Sequence, residues 1–286
     1  MPASDHDVTR REFLVSSALV AGYAIAAEPV FASAIHTEEA GLETGDVSIP
    51  VAGGSMAAYY AAPASGDTPP VALVVHEIFG VHEYIRDVCR RLAKEGYLAI
   101  APDLYQRQGD VSKQTSVGKI LEEIVVKVPD EQVLADLDAT LAWAKDHGKG
   151  DTSRVVITGF CWGGRIVWLY CAHNPTLKAG AAWYGRLAGE KRPETPTHPL
   201  DVADAPHAPI LGLYGTEDSG ISIESVQQMR ARLAASGSSS EIALFPGAPH
   251  GFHADYRASY RPMAATEGWR RMLDWFRMQR AYPVKE

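Results

Sequence analysis

The 286 residues are 46% hydrophobic and 22% charged and carry a formal net charge of −8. That is the composition of a globular chain able to bury a sizeable core. Acidic and basic residues are interspersed, so no basic stripe exists to neutralise phosphates and nucleic-acid binding is excluded as an expectation. Three cysteines, Cys89, Cys161 and Cys171, make no disulfide framework, and an odd count in an exported protein leaves at least one thiol unpaired.

The N-terminus reads as an address. Thr9-Arg10-Arg11-Glu12-Phe13-Leu14 places two arginines ahead of a stretch, Phe13 to Ala27, that contains no charged residue. A positive region, a short apolar run and small residues form the layout of an export signal, and paired arginines before Phe-Leu point to the twin-arginine route. Ala32-Ser33-Ala34 is the expected cleavage site, with Ala24-Ile25-Ala26 as the alternative. A buried helix or membrane anchor is the competing reading, but the apolar stretch is short for a membrane span. The expectation is therefore a signal over residues 1–34 that engages the twin-arginine export machinery, and a single domain over 35–286 in the periplasm. No later segment is apolar enough to insert in a membrane.

Residues 45–61 read as two edge strands joined at Ala52-Gly53-Gly54. Val71 to His76 is a short apolar run bounded by turn signals, which suits a strand buried on both faces. Ile85, Val88 and Leu92 then repeat with helical spacing up to a stop at Gly96, and Tyr97 to Ala101 is a second apolar strand. A short helix is predicted over Ile120 to Lys127. A longer amphipathic helix follows Pro129-Asp130 and carries Val133, Leu137 and Leu141. Arg154 to Gly159, Gly180 to Tyr184, Ile210 to Tyr214 and Glu241 to Phe245 read as strands. Trp162 to Ala172 and Ile221 to Ala235 read as helices, as does a last segment with Trp269, Met272, Leu273 and Phe276 on one face. This alternation predicts an α/β fold, a doubly wound and mostly parallel sheet with helices on both faces. The irregular Gly185 to Pro209 stretch is expected at a binding site or its rim.

Gly159-Phe160-Cys161-Trp162-Gly163-Gly164 lies between a predicted strand and a predicted helix. A nucleophile elbow of the α/β-hydrolase fold needs that context, with small residues two positions either side of the nucleophile. The N–H of Trp162 at the helix N-terminus would then face a developing oxyanion, and the same helix end favours a thiolate at Cys161. A buried structural cysteine is the alternative for Cys161, and it is the reading kept for Cys89 and Cys171. In this fold the order is nucleophile, acid, histidine. Asp218 follows an apolar strand in Leu213 to Asp218, with Glu217 as its competitor. His250 follows the next strand in Pro249-His250-Gly251-Phe252, with His253 as its competitor. Both fall at C-terminal strand ends, where catalytic groups gather in open sheets. His250 and His253 have no further cluster to complete a metal site. His76-Glu77-Ile78-Phe79-Gly80 ends a strand and departs from a zinc-protease helix at Gly80. Its Ile78 N–H is the expected second oxyanion donor.

These pieces, with Pro102-Asp103-Leu104-Tyr105, resemble the dienelactone hydrolase (carboxymethylenebutenolidase) family across residues 45–280, in the family's order. The resemblance implies a triad of Cys161, Asp218 and His250. It implies that Glu77 holds the resting thiol and is displaced by an anionic substrate so as to deprotonate Cys161. It further implies that Arg107 binds a substrate carboxylate, where a surface arginine is the alternative, and that Tyr184 and Phe252 line the pocket, where a core tyrosine is the alternative for Tyr184. The family's second carboxylate-binding arginine has no match in spacing, because Ala254 stands at its position and Arg257 is displaced. The expected reaction is hydrolysis of an ester or lactone through a covalent acyl-enzyme, with no metal or organic cofactor. A thiol-redox protein and a non-catalytic binding module are the rival readings.

Overall fold

The computed structural model describes residues 35–282. The export-signal expectation over 1–34 lies outside the described residues. Hairpin strands β1 (Leu42–Val51) and β2 (Gly54–Pro63) pair antiparallel, with Val51 opposite Gly54 and Gly53 at φ +84° in the turn. β2 pairs antiparallel with β4 (Leu98–Pro102). From there β4, β3 (Pro70–Val75), β5 (Asp151–Phe160), β6 (Leu177–Trp183), β7 (Ile210–Gly215) and β8 (Glu241–Phe245) run parallel. The eight-stranded order is β1-β2-β4-β3-β5-β6-β7-β8. Every residue of β3, β4 and β7 is buried, which is why these strands read as unbroken apolar runs.

The helices are α1 (Glu83–Lys94), α2 (Val117–Glu123), α3 (Asp130–Asp146), α4 (Trp162–His173), α5 (Ile223–Ser236) and α6 (Pro262–Met278). Neighbouring residues of a strand point to opposite faces, so β5 shows which helix covers which side. Thr158 Oγ1 lies 3.4 Å from Met272 Sδ on α6, and the Phe160 ring meets Tyr84 of α1 edge to face, centroids 5.6 Å apart. Gly159, between them, abuts Gly163 of α4. So α1 and α6 cover one face and α4 covers the other, with α3 bound to α4 by an ion pair. Among the described residues no helix is long and apolar enough to cross a membrane.

Two expectations shift. The predicted Ile120 to Lys127 helix begins at Val117, because the Ser116 hydroxyl accepts the Lys119 N–H at 3.3 Å and caps it. It breaks at Ile124, which leaves helical dihedrals to bury its side chain beside Gly109 before a 3₁₀ turn over Val125–Lys127. Strand β6 begins at Leu177, three residues earlier than its apolar pattern suggests.

The 185–209 segment is fastened to the helices on the α4 face. Arg165 of α4 makes a two-pronged pair with Asp130 at 2.6 and 2.7 Å and also donates to Thr197 O at 2.6 Å, while Asp130 N–H donates to Glu194 O at 2.8 Å. Both charged side chains are under 10% exposed. Arg165→Ala strands the Asp130 carboxylate in the interior, and urea denaturation is expected to show a loss of about 3–5 kcal/mol. A loss below about 1 kcal/mol would contradict this role for the pair.

Candidate active site

At the end of β5 the backbone enters Cys161 at φ +56° and ψ −113°, and α4 begins at the next residue. Such a conformation costs a non-glycine residue on the order of 1–3 kcal/mol and persists only where the surroundings enforce it. Here the main chains are too close for side chains. A Cβ would lie 2.5 Å from Gly163 O if built on Gly159, 2.4 Å from Val75 O if built on Gly163, and 2.4 Å from Trp183 O if built on Gly164. The Cys161 N–H donates to Trp183 O at 3.0 Å, tying the turn to β6. The sulfur therefore sits at the carboxyl edge of the sheet. Trp162 occupies the first turn of α4, where backbone N–H groups have no acceptor within the helix.

The loops after β7 and β8 are zipped together. Thr216 N–H donates to Phe245 O and Glu217 N–H to Ala248 O, both at 3.0 Å, and a Cβ on Gly215 would lie 2.0 Å from Ala248 O. This closeness sets Asp218 beside His250. Asp218 Oδ1 accepts the N–H groups of Gly220 and Ile221 at 2.8 and 3.1 Å, and Oδ2 faces His250 Nδ1 at 2.7 Å. Glu217 is exposed, so the carboxylate beside the imidazole is Asp218. With Nδ1–H donated to Asp218, Nε2 is the nitrogen left to serve the sulfur. Cys161 is the other hydrogen-bonding and charge partner of His250. Burial disfavours the imidazolium, but Cys161 and Asp218 together outweigh it and raise His250 to about 10. Both Cys161 (1% exposed) and His250 (6%) are buried.

Glu77, fully buried, lies two residues past the end of β3. Tyr256 donates to its Oε2 at 2.6 Å, Arg257 Nη2 is 3.4 Å from Oε1, and His82 Nε2 is 3.7 Å from Oε2. Burial works against the carboxylate, but Arg257, His82 and the Tyr256 hydroxyl prevail and hold it at about 2. In this structure Glu77 does not hold the thiol, as the resemblance implied it would. Its oxygens are taken by Tyr256, Arg257 and His82, and the sulfur is engaged with His250.

Arg257, which spacing set aside, is brought back to Glu77. Turn hydrogen bonds from Ala254 N–H to Gly251 O and from Arg257 N–H to Ala254 O coil the chain after His250 and return Arg257 to Glu77, with Cys161 within its electrostatic reach. Arg107 goes elsewhere. Its guanidinium pairs with Asp136 of α3, and none of its contacts joins it to Cys161, His250 or Glu77. Tyr184 takes an unusual φ of +38° and sets its ring 5.1 Å from His250 and 5.3 Å from Phe252. Phe252 is fully buried behind it against Trp183 and Phe245. Ile78, 2% exposed, follows Glu77 at the mouth of β3. His253 is turned away from the sulfur, with Nδ1 2.6 Å from the Tyr84 hydroxyl, and burial lowers it to about 3, so it stays neutral. His76 is likewise buried and accepts the Leu104 N–H on Nε2 at 3.2 Å, which leaves Nδ1 to donate to Glu77 O at 2.6 Å. Among the described residues no group of three or more His, Cys, Asp or Glu side chains is arranged to hold a metal ion.

Residues 56–279 match the profile of the dienelactone hydrolase family. A Methylorubrum extorquens protein named "Putative carboxymethylenebutenolidase" is 53% identical over 268 residues, 93% of this chain and 92% of its own length. An Escherichia coli K12 protein of the same name is 53% identical over 257 residues, covering 90% of this chain and 94% of that one. A Bradyrhizobium protein named "Probable 2-oxo-3-(5-oxofuran-2-ylidene)propanoate lactonase" is 32% identical over 234 residues, covering 81% and 92%. A Klebsiella pneumoniae crystal structure described as "Putative Dienelactone Hydrolase" shares 56% identity and superposes with a TM-score of 0.81, covering 82% of this chain and 98% of that one. With the mostly parallel sheet, the glycine-lined elbow and these relatives in agreement, the chain belongs to the dienelactone hydrolase family and is an α/β-hydrolase of ester or lactone bonds.

Proposed function

We propose that this chain opens carboxylate-bearing enol lactones or activated esters through a thioester on Cys161. The observation that carries the reading is the enforced turn at Cys161 with His250 engaged on one side by the sulfur and on the other by Asp218 at 2.7 Å. The Cys161 thiolate attacks the acyl carbonyl, and the N–H groups of Ile78 and Trp162 take the oxyanion. Collapse expels the alkoxide or enolate, which receives a proton from the His250 imidazolium. Neutral His250 then accepts a proton from water as that water attacks the thioester, and Cys161 leaves as thiolate. Asp218 keeps the imidazole in the required tautomer throughout.

Arg257 supports an anionic substrate. It is a buried cation whose partner Glu77 is an internal carboxylate, so a substrate carboxylate can take that place and release Glu77 towards the sulfur. The lactone named for the Bradyrhizobium relative bears such a carboxylate. The export of the protein by the twin-arginine route belongs to this proposal as its periplasmic setting, and a single catalytic domain over 35–286 as its frame.

Cys161→Ala is expected to abolish turnover of an activated ester while circular dichroism stays that of the parent; measurable hydrolysis by the folded variant would reject the nucleophile. In the Arg257→Met/Glu77→Gln double variant, which removes both members of the buried pair, kcat/KM for a carboxylate-bearing ester should fall about ten-fold or more relative to a neutral one. An unchanged ratio would reject the anionic-substrate assignment.

The pH dependence of stability follows from the same groups. His250 is raised above its unfolded value, so its contribution is complete below about pH 6.5 and is lost as pH rises through about 10. Glu77 is depressed, so its contribution is complete above about pH 4.3 and is lost as pH falls through about 2. Urea midpoints should show the alkaline decline flattened in His250→Asn and the acid decline flattened in Glu77→Gln. Parallel curves for parent and variants would contradict both assignments.

A further inference from the structure

The segment that follows residue 34 is bound against a charge cluster whose inner members, Asp87, Arg90 and Asp255, are buried. Thr37 N–H donates to Asp87 Oδ1 at 2.6 Å, and His36 Nδ1 lies 3.6 Å from Glu83 and 3.4 Å from Arg90 Nη2. The Ile35 backbone nitrogen faces the Asp255 carboxylate. Asp255 is 2% exposed, and its Oδ2 is taken by Arg91, which also holds Asp87. Its other oxygen, Oδ1, is buried and has no well-formed hydrogen bond among the described residues. Arg90 completes the cluster through Asp87 and Glu83. Three carboxylates (Glu83, Asp87, Asp255) thus face two guanidinium groups (Arg90, Arg91) and the His36 imidazole, with Asp87 and Asp255 the two that are buried.

An amide N–H is a single donor in a direction fixed by the chain. An ammonium is a full charge with three donors that rotate to suit their acceptors. Ile35 directly follows Ala32-Ser33-Ala34, and its side chain is 47% exposed. We propose that hydrolysis of the Ala34–Ile35 peptide bond creates a binding group, the α-ammonium of Ile35, which docks on Asp255 and locks the loop carrying His250, Tyr256 and Arg257. The proposal rests on the export reading of residues 1–34 and not on the chemistry of Cys161. In the step, a signal-peptidase-class protease adds water across the bond. Ala34 leaves as a carboxylate, and the Ile35 nitrogen takes a hydrogen and then a proton from solvent.

The new charge adds a cation beside Asp255 and replaces the single Ile35 N–H there with an ammonium of three rotatable donors. Burial pushes the Asp255 carboxyl up against the pull of Arg91, so an added positive charge beside it favours the carboxylate. The consequence reaches the active site through short covalent links. Asp255 immediately precedes Tyr256 and Arg257, the two residues that hold Glu77, and the coil from Gly251 to Arg257 begins one residue after His250.

The test compares four proteins by thermal melting: residues 1–286, residues 35–286 with a free amine released from a scarless fusion, the same chain acetylated at Ile35, and the same chain with one glycine added before Ile35. The free-amine form is expected to melt at least about 2 °C above the other three, and Asp255→Asn should erase its advantage over the acetylated form. Intact mass of the protein recovered after export should give a chain beginning at Ile35. Equal melting of the free-amine and acetylated forms would overturn the proposal, as would an advantage that survives Asp255→Asn or an exported chain that begins elsewhere. Acetylation changes little beyond the charge, so it decides the matter even where Asp255→Asn does not fold. Because melting requires no turnover, the result is independent of whether Cys161 is the nucleophile.

Discussion

Where β5 ends, the main chains of several segments meet with no room for a side-chain carbon. Gly159 lies against Gly163, Gly163 against the carbonyls of Val75 and His76, and Gly164 against Trp183 and Gly185. That contact forces Cys161 into a backbone conformation it would otherwise avoid, and so fixes the direction of its sulfur. The same contact brings the end of β3, with Glu77 and Ile78, alongside the first turn of α4. It also brings the end of β6, with Tyr184, within reach of His250. A larger residue at any of these glycines would move several site groups at once, because they are all referenced to one crossing point.

A second constraint is electrostatic. The site is buried, and an interior carboxylate such as Glu77 persists as a charge only because Arg257, Tyr256 and His82 surround it. Such a pair is expensive to break by removing one partner and far less so by exchanging one anion for another. That asymmetry is the basis on which the Glu77–Arg257 pair is proposed to open for a charged ligand. His250 obeys the same logic, held as a cation by the sulfur on one side and Asp218 on the other.

Much of this was legible in the sequence wherever the cause is local. Strands buried on both faces show as unbroken apolar runs, and the elbow shows because its glycines are adjacent to the cysteine they constrain. Asp218 and His250 were legible because strand ends are where the sheet gathers its polar groups. Arg257 was not, since counting residues after His250 assumes an extended chain, and the coil from Gly251 to Arg257 shortens the path. Arg107 has the right local motif, but its partner Asp136 comes from a helix that no short pattern connects to it. Glu77 was singled out from its place after an apolar strand, whereas two of its partners in this structure, Tyr256 and Arg257, come from about 180 positions away. The start of α2 turned on a single capping hydroxyl, Ser116, which is a weak signal beside hydrophobic spacing.

The central claim is that an acyl group is carried on the sulfur of Cys161. It is tested most directly by mixing the protein with a slowly turned-over activated ester, quenching in acid and mapping the peptides by mass spectrometry. The account predicts one acyl adduct per chain, on the peptide containing Cys161, that forms and decays at rates compatible with turnover. Hydrolysis that proceeds with Cys161 unmodified at every time point, or an acyl group found on another residue, would contradict it.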